Sequence, residues 1–97
     1  MSARRQGVAF APDVVVQVVN GEALLVKLDD ESVFSLNETG ARIAQLIAGG
    51  DDLDTLIDVL AGEYAVPPAD VAADVERLVD ALIARGLLVI RTDGAVR

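Results

Sequence analysis

Asn20-Gly21 joins two runs of aliphatic residues, and this junction constrains the fold more than any other feature of the chain. Before it stands Val14-Val15-Val16-Gln17-Val18-Val19, which is short and β-branched. After it comes Glu22–Leu28, in which Leu24, Val26 and Leu28 alternate with Ala23, Leu25 and Lys27. A type I′ turn needs positive φ at both central residues, and Asn-Gly supplies it at the lowest steric cost. The alternation leaves one strand face, Leu24-Val26-Leu28, wholly apolar. Asp29-Asp30-Glu31 makes a second turn, and Ser32-Val33-Phe34-Ser35-Leu36 a short third strand.

From Asn37 the period changes from two to that of helices. Asn37 is a good N-cap and Glu38 suits the positive first turn. Ala41, Ile43, Ala44, Leu46 and Ile47 follow at helical spacing, and Gly49-Gly50 provides a left-handed C-terminal stop. Asp51 or Asp52 caps a second helix that carries Leu53, Leu56, Ile57 and Leu60 to about Tyr64. Pro68 opens a third helix, from about Ala69 to Arg85, and Gly86 ends it. Leu87–Arg91 reads as a fourth strand or a frayed tail, and Thr92-Asp93-Gly94 as the turn of a small wing. The expected fold is α+β: a three-stranded antiparallel sheet followed by three helices, resembling a winged helix-turn-helix. Residues 1–12 are expected to be a flexible arm, 13–91 the folded domain, and 92–97 a tail or wing.

Composition excludes much chemistry. There is no cysteine and no histidine among the 97 residues. That removes disulfides, thiolate chemistry, the usual zinc sites and the commonest general base. Ser32, Ser35 and Thr39 therefore lack an activating partner. Asp29-Asp30-Glu31 reads as a solvated turn, since a cation site needs ligands converging from a shaped loop. Asp51, Asp52, Asp54 and Asp58 are explained by helix capping and the helix dipole. No cofactor, metal or catalytic residue is expected. With 16 acidic and 8 basic residues the net charge is −8, which disfavours nucleic acid and anionic membranes and suits a neutral or basic protein partner. No apolar segment follows Arg4 and Arg5 before Asp13, so the N-terminus does not read as a signal peptide, and a cytoplasmic location is the default expectation.

Two segments point to binding. Ser32–Leu36 carries neither charge nor proline, whereas natural sheet edges are usually blunted by such residues. A bare edge accepts a peptide as an added strand; alternatively, the following helix or the tail covers it. The third helix carries Val71, Val75, Leu78 and Leu82 in one stripe, widened by Ala72, Val79 and Ile83 beyond the ~100° that a surface helix needs. Either this helix is central and packs on two neighbours, or one margin of the arc lines a groove beside the third strand.

The stretch Asn20–Leu88 resembles a PqqD-like domain, also called a RiPP precursor peptide recognition element. The resemblance rests on the segment Asn20–Leu28 and on Phe34-Ser35-Leu36-Asn37-Glu38-Thr39-Gly40-Ala41-Arg42-Ile43. It continues through Leu46-Ile47-Ala48-Gly49-Gly50 and the helix end from Asp74-Val75 to Leu82-Ile83-Ala84-Arg85-Gly86-Leu87-Leu88. It implies a non-catalytic protein that binds the leader of a ribosomally made precursor peptide and presents it to modifying or leader-cleaving enzymes. The leader would add to the third strand, at Val33, Phe34, Ser35 and Leu36, and lie against Asp74, Arg77, Leu78, Ala81, Leu82 and Arg85 of the third helix. The chain departs from the pattern in that Val33-Phe34 supplies one aromatic where members often have two. Many such domains are fused to an enzyme; a stand-alone chain fits lasso-peptide biosynthesis first and pyrroloquinoline quinone biosynthesis second. A separate leader peptidase, cyclase or radical enzyme is then the second partner, and the protein is a monomer or a dimer. The rival readings are a winged-helix nucleic-acid regulator, which the acidic third helix disfavours, and an adaptor that pairs its bare edge with its own copy.

Overall fold

The structure, a computed structural model, describes residues 7–91. Its strands are β1 (Val8–Phe10), β2 (Val14–Val19), β3 (Glu22–Lys27), β4 (Ser32–Leu36) and β5 (Leu88–Ile90). Its helices are α1 (Glu38–Ala48), α2 (Leu53–Tyr64) and α3 (Pro68–Ala84). The expected α+β class holds. Among the described residues, no helix is long and apolar enough to cross a membrane.

The hairpin forms as its turn chemistry dictates. Asn20 and Gly21 both take positive φ, at 55° and 79°, and Val19 pairs with Glu22 across the two-residue turn. The second turn is held by Asp30, whose Oδ1 accepts from the Ser32 N–H (3.0 Å) and from its Oγ–H (2.7 Å). Asp29 and Asp13 both receive Lys27 Nζ, at 3.0 and 2.9 Å, so one cation ties the start of β2 to the β3–β4 turn. The strand order is β2-β3-β4. Ser32–Leu36 is therefore an edge.

The wholly apolar face of β3 is not the one that is buried. Ala23 and Leu25 are buried, with Lys27 half-buried behind them, while Leu24 and Leu28 are exposed. The inward face of β4 explains the choice. Leu36 is paired with Ala23 and Phe34 with Leu25, so these four side chains share the face that the helices cover. Lys27 sits at the rim, where its ammonium reaches the two aspartates and its stem lies beside Gly86. Its apolar methylenes can be covered without stranding the charge.

Three helices close the core. Asn37 caps α1 by accepting from the Gly40 N–H (2.9 Å), and Asp52, rather than Asp51, caps α2 by accepting from Thr55 N–H (2.7 Å). At Gly40 an added Cβ would come within 3.1 Å of the Leu36 Cβ, so glycine lets α1 approach the end of β4 closely. Helix α3 buries Val71, Ala72, Val75, Val79 and Leu82. The reading of α3 as the central helix thus accounts for most of its broad apolar arc. Leu56, Leu60, Ile43 and Ile47 join them, and no polar or charged residue among those described is buried.

Of the flexible arm expected over residues 1–12, residues 1–6 lie outside the described residues, and Val8–Phe10 is a strand. Val8–Phe10 pairs antiparallel with Leu88–Ile90 in a second, two-stranded ribbon, with Val8 fully buried. Bonds from Ala11 N–H to Leu87 O (3.0 Å) and from Arg91 N–H to Gly7 O (3.1 Å) extend it at both ends. The fourth strand expected near Leu87–Arg91 is present, but its partner is β1 and not the three-stranded sheet. The wing expected at Thr92-Asp93-Gly94 lies outside the described residues.

Candidate functional site: the groove between strand β4 and helix α3

The hydrogen-bond parity of the sheet shows which groups β4 offers. A two-residue turn makes Val19↔Glu22 a doubly bonded pair, and antiparallel ladders alternate from there. Gln17↔Leu24 and Val15↔Val26 are the next bonded pairs, and the Leu28 N–H to Asp13 O bond (2.9 Å) keeps the same parity. Glu22, Leu24 and Val26 thus turn their backbone groups to β2, and Ala23, Leu25 and Lys27 turn theirs to β4. Their partners are Leu36, Phe34 and Ser32. Val33 and Ser35 are left with N–H and C=O directed at the free edge.

That edge runs beside α3, and the space between them is a groove in two parts. The part at the Leu36 end, about 450 Å³, is lined by Phe34, Ser35, Leu36, Asp74, Arg77 and Leu78. The part at the Ser32 end, about 270 Å³, is lined by Val33, Phe34, Arg85, Ser32, Asp30 and Leu87. Phe34 belongs to both. Its half-buried ring lies under the Arg85 guanidinium, whose carbon is 4.7 Å from the ring centroid. Such stacking holds a long cation flat over an aromatic face.

The structure therefore brings together Val33, Phe34, Ser35, Leu36, Asp74, Arg77, Leu78 and Arg85. It separates two other expected residues from them. Leu82 is fully buried in the core. Ala81 is exposed but lines neither part of the groove. The α3 margin that does face β4 carries half-buried Leu78, flanked by an Asp74–Arg77 pair at 3.2 Å. Both partners of that pair are well exposed, so it orients side chains more than it stabilises the fold. Sequence reading missed Asn37, Thr39, Gly40 and Ile43, which complete the Leu36 end. Their signal was present: they continue directly from β4 in the Leu-Asn-Glu-Thr-Gly run that turns the strand into α1.

Electrostatics elsewhere are those of a scaffold. Hydrogen bonding from Lys27 lowers the Asp13 pKa, and Ser32 does the same for Asp30. Thr55 lowers Asp52, and Arg42 lowers Glu63 through bonds of 3.0 and 2.6 Å. None of these four groups lines the β4 edge itself except Asp30 at its outer end. The groove thus offers backbone bonds, an apolar wall and flanking charges: the equipment for holding an extended peptide.

Comparison with known proteins places the fold. The structure matches that of TbiB1 in complex with the TbiA(beta) leader peptide, with a TM-score of 0.79 and 28% identity over 82% of this chain and 93% of that one. It also matches the fold of a lasso peptide synthetase B1 complexed with the leader peptide, with a TM-score of 0.77 and 24% identity over 86% and 98% of the two chains. None of the curated proteins matches the chain. The sequence profile of Coenzyme PQQ synthesis protein D (PqqD) matches residues 22–88, from the start of β3 to the start of β5, and the chain belongs to that family.

Proposed function

We propose that this protein captures the leader segment of a ribosomally synthesised precursor peptide as a fourth strand on β4 and presents it to a separate processing enzyme. The observation that carries this reading is the uncharged, unpaired edge at Val33 and Ser35, set beside the wall that Leu78 and Phe34 form. Backbone bonding to the edge accepts many sequences; apolar leader side chains seated between Phe34, Leu36 and Leu78 then select. The leader loses conformational entropy on docking, so only the surplus of contact energy appears as affinity. The chemistry is binding, with bond-making left to the partner enzyme, in the cytoplasm. A lasso-peptide cluster is the favoured setting, since one structural neighbour is a lasso peptide synthetase B1 complexed with the leader peptide; quinone cofactor biosynthesis, after which the family is named, is the second.

The experiment is a fluorescence-polarisation titration with a labelled synthetic copy of the leader of the precursor encoded beside this protein's gene. Saturable binding at micromolar affinity or better, lost in a folded Leu78→Asp variant, supports the reading. Absence of binding to the wild-type protein refutes it.

A further inference from the structure

Past the Leu36 end of the groove, the N-terminal half of α3 and the facing ends of α1 and α2 enclose a second cleft of about 250 Å³. Its floor is Ile43, Leu60, Val71 and Val75, all buried. At its mouth stand Tyr64 and Val66, which are 44% and 39% exposed. The local backbone holds them there. Ala65 ends α2 in the left-handed conformation, with φ 56° and ψ 45°, and the Val66 N–H returns to Ala61 O at 3.2 Å. A non-glycine residue in that region is uncommon and costs energy that its surroundings must offset. The carboxylates of Asp70 and Asp74 flank the opening, and no basic residue is among those that line it.

Three features connect this cleft to the groove. Thr39, Ile43 and Asp74 line both, so a peptide that runs along β4 past Leu36 arrives directly at its mouth. The floor is aliphatic and accepts an apolar side chain. Asp74 at the rim is already paired with Arg77, but Asp70 keeps the opening acidic, so it complements a positively charged neighbour.

From these we infer that the cleft is a second anchoring pocket for the same peptide: it takes an apolar side chain from just outside the added strand, with a lysine or arginine beside it. The inference rests on the reading in which the leader adds to β4. It makes the leader's specificity two-part, with strand pairing in the groove and a separate anchor, apolar and cationic together, at the helical end.

Tyr64 is the only tyrosine in the chain, so biosynthetic 3-fluorotyrosine gives a single 19F resonance at the cleft's mouth. The unlabelled synthetic leader is expected to shift that resonance on saturation. Successive truncation of the leader from one end should abolish the shift while saturable binding persists. Val66→Asp and Asp70→Lys, both at exposed positions, should each weaken the full leader about tenfold. Neither should alter binding of the truncated peptide, and Asp70→Lys should also flatten the salt dependence. If the full leader binds saturably with the resonance unmoved and both variants equal to wild type, the second anchor is overturned while strand capture stands. If the full leader does not bind the wild-type protein at all, both are overturned.

Discussion

Among the described residues the three-stranded sheet has two free edges, and their difference explains why one is proposed as the site. Strand β2, Val-Val-Val-Gln-Val-Val, is as uncharged as β4 and one residue longer. By the same parity its Val16 and Val18 turn their backbone groups away from β3, while the Val14 N–H is taken by Ala11 O at 3.1 Å. Availability of backbone bonds therefore does not distinguish the edges. What distinguishes β4 is the neighbour beside it: α3 supplies Leu78, Asp74, Arg77 and Arg85, so an incoming strand there meets side-chain contacts as well as a ladder. An edge without such a wall pairs with any extended chain, which makes β2 a hazard for self-association more than a recognition surface.

The comparison can be broken most forcefully at the wall. Phe34→Asp or Leu78→Asp should weaken leader binding by about a hundredfold or more, because a carboxylate would lose its water on docking with no partner to compensate. Circular dichroism on each variant separates lost binding from lost folding. The next largest effect is at the edge itself. Ser35→Pro removes an outward N–H without touching a bond to β3, and should cost about tenfold in affinity. Val18→Pro makes the same change on β2 and should leave leader affinity unchanged; equal losses from both would mean that the two edges are not distinct in the way described. A smaller effect is expected at Asn37→Ala. Losing the cap on Gly40 N–H should lower stability by about 1 kcal/mol, read from urea denaturation.

The smallest effect is in pH. Asp13, Asp30, Asp52 and Glu63 all have pKa values depressed by hydrogen-bond donors that the unfolded chain lacks. Their contribution is present above the ordinary carboxylate range, near pH 4, and is lost as pH falls through the lowered folded values. Thermal midpoints should therefore be flat above about pH 5 and fall below about pH 4. The double variant Asp13→Asn, Glu63→Gln should lessen that acid slope.

Local signals carried much of this into the sequence. Asn20-Gly21, the caps at Asn37 and Asp52, and the stop at Gly86 each act within a few residues, so hairpin and helices were legible. The edge strand and the Leu78 margin were legible too, since both follow from periodicity. What was not legible depends on pairing across distance. Val8–Phe10 looked like a frayed arm because its partner, Leu88–Ile90, comes from the opposite end of the chain. The buried face of β3 is not legible from that strand alone, since Leu24-Val26-Leu28 is the more apolar set. The register with Phe34 and Leu36, and not hydrophobicity, decided the face. Leu82 was placed in the groove because helical spacing says which residues share a stripe, not which neighbour that stripe meets.

The pairing of β1 with β5 has one more consequence. The Arg91 N–H donates to Gly7 O, so two segments from opposite parts of the sequence lie side by side. A linker put in place of residues 1–6 and 92–97 would close the backbone into a ring, which could be cut open elsewhere, for example at Gly49-Gly50, with every described strand and helix kept. The order of elements along the gene is in that sense incidental to the binding surface, and a circularly permuted protein should hold its peptide as the parent does.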